Sequence, residues 1–339
     1  MEESNPVKSA RKNFGRLGWS LAAVGSILLL NSLFYALLMI GDELRVASGQ
    51  DSVLYLYEPS TFVYWLLFRL PIYAIGYPAA VLILKKLPRT PVEKVRFSAK
   101  RLTGFVLAAM ALVLPVSIVT TLLIDLIHQD VNLPILTKAP GVSFWTLLDL
   151  LVFAPVFEEL LFRRVLLDRF RRYGEGLAIL VSSGCFSLMH MNLQQATIAF
   201  VLGALLAYVY LRSGNLWYCV FLHSATNFFG TGMMGILMNR LSPKAWLMLQ
   251  TQNQELLSPE VASELVPMMG YMLLISLLFI AGWIILIRNR KKIQLLPTAE
   301  KLAPKQAAKA MLGSAGMLLY LANTLFVILT NITAPLYQI

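Results

Sequence analysis

Apolar residues in this chain come in blocks of roughly 20, the length a helix needs to cross about 30 Å of hydrocarbon at 1.5 Å per residue. Hydrocarbon cannot satisfy open backbone N–H and C=O groups, so each block must be helical. Along the 339 residues such blocks lie near 17–40, 61–84, 102–127, 144–167, 177–192, 195–211, 215–236, 266–287 and 310–334. The expected fold is all-α, a polytopic transmembrane helix bundle of about nine spans, with the fifth and sixth short. Composition agrees: 58% of residues are hydrophobic and 14% charged, against about 45–50% and about 25% in soluble domains.

The net charge of +11 would fit a nucleic-acid partner only if the 29 Lys and Arg were spread over one exposed surface. They are sorted by loop instead. Twenty-four fall on one side of the predicted spans and four (Arg45, Lys138, Arg240, Lys244) on the other, with Arg69 inside span two. The positive-inside rule then puts the N-terminus in the cytoplasm, and basic charge reads as topology and contact with membrane lipids rather than nucleic acid. Three regions are expected: 1–143 with spans one to three, 144–236 as a four-span core, and 237–339 with an outer loop and two further spans. Cys185 and Cys219 fall inside spans and read as small packing residues, not a disulfide.

An ionisable group at mid-membrane costs about 2.5–3.5 kcal/mol, so each one is a functional suspect. The suspects are Arg69, Asp149, Glu158, Glu159, His190 and His223, with Asp125, His128 and Arg163 nearer span ends. In FEELLFRR, Glu159 stands four residues before Arg163 and shares a helical face with it, while Glu158 points about 100° away. Glu159 and Arg163 can neutralise each other and leave Glu158 free to react. In LHSATN, His223 and Asn227 again stand four apart and present an imidazole and an amide to one cavity. In FSLMH, Phe186 lies one turn before His190 and would pack on its ring.

Glu158, His190, His223 and Asn227 together supply a general base, a second acid/base or water-positioning group, and two donors for a tetrahedral intermediate, which suits amide hydrolysis in a polar cavity open to one side. The same residues would also serve a buried ion network that only locks helices, as in a silent membrane scaffold or immunity protein. Arg69 and Asp149 would suit an ion path in a transporter, although no internal repeat supports that class. GTGMMG, Gly230 to Gly235, fits a dinucleotide-binding spacing but follows an apolar helix rather than a strand. It reads, like Gly203 and Ala207, as small residues for close helix approach.

EELLFR (158–163), FSLMH (186–190) and HSATN (223–227) reproduce, in order, the motifs E-E-x-x-x-R, F-x-x-x-H and H-x-x-x-N. The chain thereby resembles the CPBP family of intramembrane proteases, which includes type II CAAX prenyl endopeptidases and bacteriocin-processing and self-immunity proteins. The resemblance covers about 144–235 and implies an endopeptidase in which Glu158 and His190 activate water while His223 and Asn227 stabilise the oxyanion. Glu159, Arg163 and Phe186 would support them. Many members have glycine where this chain has Arg164.

The implied substrate is a lipidated or hydrophobic membrane peptide, and the implied setting is a prokaryotic cell membrane. Glu158, His190 and His223 would also be a zinc set of two histidines and one glutamate, the alternative to direct activation of water, although no H-E-x-x-H is present.

Overall fold

In the computed structural model, which describes residues 6–127, 141–296, 298 and 300–333, no strand is present among the described residues. His128 lies outside them. Eleven helices organise the described chain: α1 (Pro6–Ala47), α2 (Phe62–Leu84), α3 (Ala99–Ile127), α4 (144–170), α5 (Glu175–Met189), α6 (Leu193–Ser213), α7 (216–238), α8 (Pro243–Thr251), α9 (Pro259–Asn289), α10 (Pro304–Leu312) and α11 (Ala315–Thr333). Their ends follow from local chemistry. Ser143, Asn192 and Ser258 accept backbone N–H groups at the starts of α4, α6 and α9. Gly214 ends α6 in the left-handed conformation at φ 58°.

Five of these helices, α1, α2, α3, α6 and α9, are long and apolar enough to cross a membrane. The pair α10 and α11 gives a sixth if it counts as one span, but it bends by 83°. The expectation of about nine spans exceeds this count for a physical reason. Asp149, Glu158, Glu159 and Arg163 charge α4, His223 and Asn227 dilute α7, and α5 is only 15 residues long. Two boundaries also differ. α1 starts at Pro6 rather than near 17, because Ala10, Phe14 and Leu17 are buried against α10 and α11. The stretch near 237–265, expected as an outer loop, holds α8 and the first turns of α9.

α4 is surrounded by α2, α5 and α7, and α5 packs on α6. Leucine, isoleucine and methionine along α9, such as Met269, Leu273 and Leu277, are exposed, the pattern of a surface solvated by lipid. At the α1–α11 crossing the Gly18 and Gly316 backbones approach so closely that neither position has space for a Cβ atom. Both cysteines are free and buried.

Candidate active site

Helix α4 carries its own reason for docking α7. Pro155 has no N–H, so it cannot donate to the carbonyl one turn back, and residues 149–153 relax into a wider π-turn. Side chains from α7 use the carbonyls there: Asn227 Nδ2 donates to Leu150 O at 2.9 Å and Ser224 Oγ to Leu151 O at 2.7 Å. This anchorage sets His223, one turn earlier on α7, against the two glutamates of α4.

Glu159 and Arg163 form the expected pair, Nε to Oε2 2.8 Å, with both side chains wholly buried. Arg163 also donates to Ser182 Oγ on α5 at 3.0 Å. The other Glu159 oxygen meets His223 Nδ1 at 2.9 Å. One imidazole nitrogen is thus held by a carboxylate that is itself fixed by a guanidinium, and the ring's Nε2 faces Glu158 Oε2 at 3.8 Å. Glu158 differs from its neighbour as expected: its side chain is 16% accessible where that of Glu159 is 0%.

His190 caps the C-terminal end of α5, with Nδ1 at 2.9 Å from Phe186 O. The Phe186 ring meets His190 edge-on at 4.9 Å and His223 edge-on at 5.8 Å. The Arg163 guanidinium lies 5.0 Å from its centre. Phe186 is therefore the spacer between the two imidazoles. It occupies that position because Gly203 on α6 presents no side chain; a Cβ there would lie 3.0 Å from Phe186 Cδ1. Helix α4 runs seven residues past Arg163, which puts Glu158 near its middle.

Glu158, His223, Glu159 and Arg163 form one chain of contacts, and His190 joins it through Phe186, whose ring meets both imidazoles. Asn227 joins through the backbone of α4, one of its amide hydrogens already used there. Arg69 and Asp149, read above as an ion path, are bonded to each other, Arg69 Nε to Asp149 Oδ2 2.8 Å, and Tyr73 donates to Oδ1 at 2.6 Å. The sequence reading missed Tyr73 and Tyr77, which run up α2 from Arg69 at intervals of four and pack on Phe157 beside Glu158. That i, i+4, i+8 spacing was the available signal.

Among the described residues, no three His, Cys, Asp or Glu side chains are arranged to hold a metal ion, so the zinc set does not fit and no step below uses one. Two hollows lie away from these residues. The smaller, about 220 Å³, lies at Arg240, Ser263 and Glu264, and the larger, about 320 Å³, is apolar, between α1, α5 and α10. Of the glycines in GTGMMG, Gly235 packs tightly on Val142 while Gly230 faces open space. Arg164, at the position of the family glycine, donates to Tyr210 OH at 3.2 Å and lies 3.6 Å from buried Asp168.

No curated protein and no solved structure matches the chain. Residues 140–229 match the model of one protein family, described as type II CAAX prenyl endopeptidase Rce1-like, and this bears out the family resemblance read from the three motifs, all of which lie in the matched segment.

Proposed function

We propose that this chain is an intramembrane endopeptidase that hydrolyses a peptide bond in a lipidated or hydrophobic membrane peptide with water activated by Glu158 and His190. The observation that carries the reading is the Glu158–His223–Glu159–Arg163 chain of contacts. A network meant only to lock helices has no use for a second carboxylate left partly accessible beside the first.

Glu158 takes a proton from water as its oxygen attacks the carbonyl carbon, and His190 orients that water. His223 is held at Nδ1 by Glu159, which leaves Nε2 as the ring nitrogen that faces the oxyanion. The second amide hydrogen of Asn227 is a donor to it. When the C–N bond breaks, the proton taken by Glu158 passes to the leaving amine, so atoms and charge balance. The proposed setting is a prokaryotic cell membrane; the N-terminus is taken to face the cytoplasm on the strength of the sorted Lys and Arg, with α4, α5 and α7 counting as spans so that nine cross.

Comparing peptide termini in cells that carry the wild-type chain or Glu158→Gln tests this reading. New C-termini that vanish in the variant are the expected result. Identical termini in both, with the variant present at normal level, would leave a non-catalytic scaffold as the better account.

A further inference from the structure

The apolar hollow of about 320 Å³ is an open groove along α5, and Leu180 and Phe200 on its rim are exposed. No charged or hydroxyl side chain lines it. It exists because two of its residues are small: Gly184 on α5 has open space where a Cβ would stand, and Ala308 on α10 is exposed. Leu177, Leu180, Gly184 and Leu188 form one stripe of α5 at intervals of three and four. From Leu177 to Leu188 the stripe rises about 16 Å. That is the depth of one leaflet, half of about 30 Å of hydrocarbon.

The foot of the groove is α10. This helix turns 83° from α11, so it lies along the membrane surface when α11 crosses. Ala307 and Ala310 are buried and α10 packs on α1, while Lys305 and Lys309 are exposed. Lys305 follows Pro304 and Lys309 follows Ala308, both lining residues, and each lysine stands about 100° round the helix from its neighbour. Neither lysine is in an ion pair among the described residues, and the nearest acid along the chain, Glu300, is held by Arg172. Arg11 of α1 reaches the far end of α10, its Nε 3.3 Å from where a Cβ of Gly313 would stand.

We propose that this groove binds an anionic phospholipid, with one acyl chain along α5 and the phosphate at Lys305 and Lys309. A peptide strand laid there would bring backbone N–H and C=O groups to a wall that has nothing to bond them, whereas a hydrocarbon chain brings none. Two unpaired lysines at the surface end select a negative headgroup over a zwitterionic one. None of these residues belongs to the proposed catalytic set, so the site stands or falls apart from the endopeptidase reading.

The test titrates the purified full-length chain, in neutral detergent micelles, with phosphatidylglycerol or phosphatidylcholine of the same acyl chains and counts bound lipid by native mass spectrometry. One phosphatidylglycerol per chain is expected, bound at least about tenfold more tightly than phosphatidylcholine, the order that two lysines supply at an anionic headgroup. Lys305→Gln with Lys309→Gln should bring the two lipids within about twofold of each other. Gly184→Phe fills the groove and should weaken phosphatidylglycerol by about tenfold; Ala308→Phe fills it from α10 and serves if the glycine change prevents folding. Phosphatidylglycerol with a diazirine at its chain end locates the site by adducts on α5 between Leu177 and Leu188. Equal affinity of the wild type for the two lipids, undiminished affinity in a folded filling variant, or adducts confined to other helices overturns the proposal. A dimer that Gly184→Phe dissolves would give the groove to a second copy of the chain and overturn it as well.

Discussion

Replacing Glu159 and Arg163 separately and together probes the core of the site. Both side chains are wholly buried and 2.8 Å apart. Glu159→Leu strands the Arg163 charge, and Arg163→Met leaves Glu159 with only the imidazole; each change should cost about 3–5 kcal/mol. The double variant carries two apolar side chains of similar volume and strands no charge. Its remaining defects are the unpaired Nδ1 of His223 and the lost partner of Ser182, together about 1–3 kcal/mol. The double should therefore be more stable than either single, where independent effects would add to about 6–10 kcal/mol. Unfolding followed by tryptophan fluorescence in mixed micelles measures all four corners of the cycle. The double variant should fold yet turn over peptide about 10–100-fold more slowly, because nothing orients His223. A destabilisation equal to the sum of the singles would refute the coupling, and a folded double with wild-type turnover would refute the orienting role of Glu159.

Other outcomes follow from the same contacts. Asn227→Ala and Ser224→Ala each remove one hydrogen bond to α4 and should cost about 1 kcal/mol; the asparagine change alone should also lower kcat by about 10²–10³. Equal kinetics in the two variants would deny Asn227 its role at the oxyanion. Gly203→Ala puts a methyl 3.0 Å from Phe186 Cδ1 and 3.2 Å from Ser183 Cβ, so turnover should fall as the ring between the imidazoles shifts, with the unfolding midpoint moving little; unchanged turnover would show that Phe186 is not a positioning residue. Cys185 and Cys219 are buried and free, so a membrane-permeant maleimide should label neither until the protein unfolds, and rapid labelling of the native chain would contradict their packing.

Adjacent helical geometry made part of this site legible. The i, i+4 rule assigned Glu159 to Arg163 and left Glu158 apart, and it put Phe186 against His190; both contacts are present. What bridges separate helices was not legible. The bond from Glu159 to His223 joins residues 64 positions apart, and no periodicity within either helix announces it. Asn227 illustrates a subtler gap, since its partner Leu150 O lies in a π-turn of another helix, where Ala154 N–H bonds Asp149 O instead. The span count shows another effect: the apolar blocks near 144–167 and 215–236 announced α4 and α7, yet neither is among the five helices apolar enough to cross a membrane, because a site built inside a bundle puts its charged and polar residues on the helices that form it. The polar first turns of α1 fall before the span expected near 17–40, because α10 and α11, which bury them, are remote in the chain.

The central claim is that Glu158 delivers water to a peptide carbonyl. Turnover in water enriched in oxygen-18, with the purified wild type and Glu158→Gln in the same liposomes, tests it most directly. The account predicts one labelled oxygen in the new carboxyl group of the wild-type product and a rate at least about 10²-fold lower in the variant, whose unfolding midpoint stays near that of the wild type. Labelled product formed at the wild-type rate by the glutamine variant would contradict it.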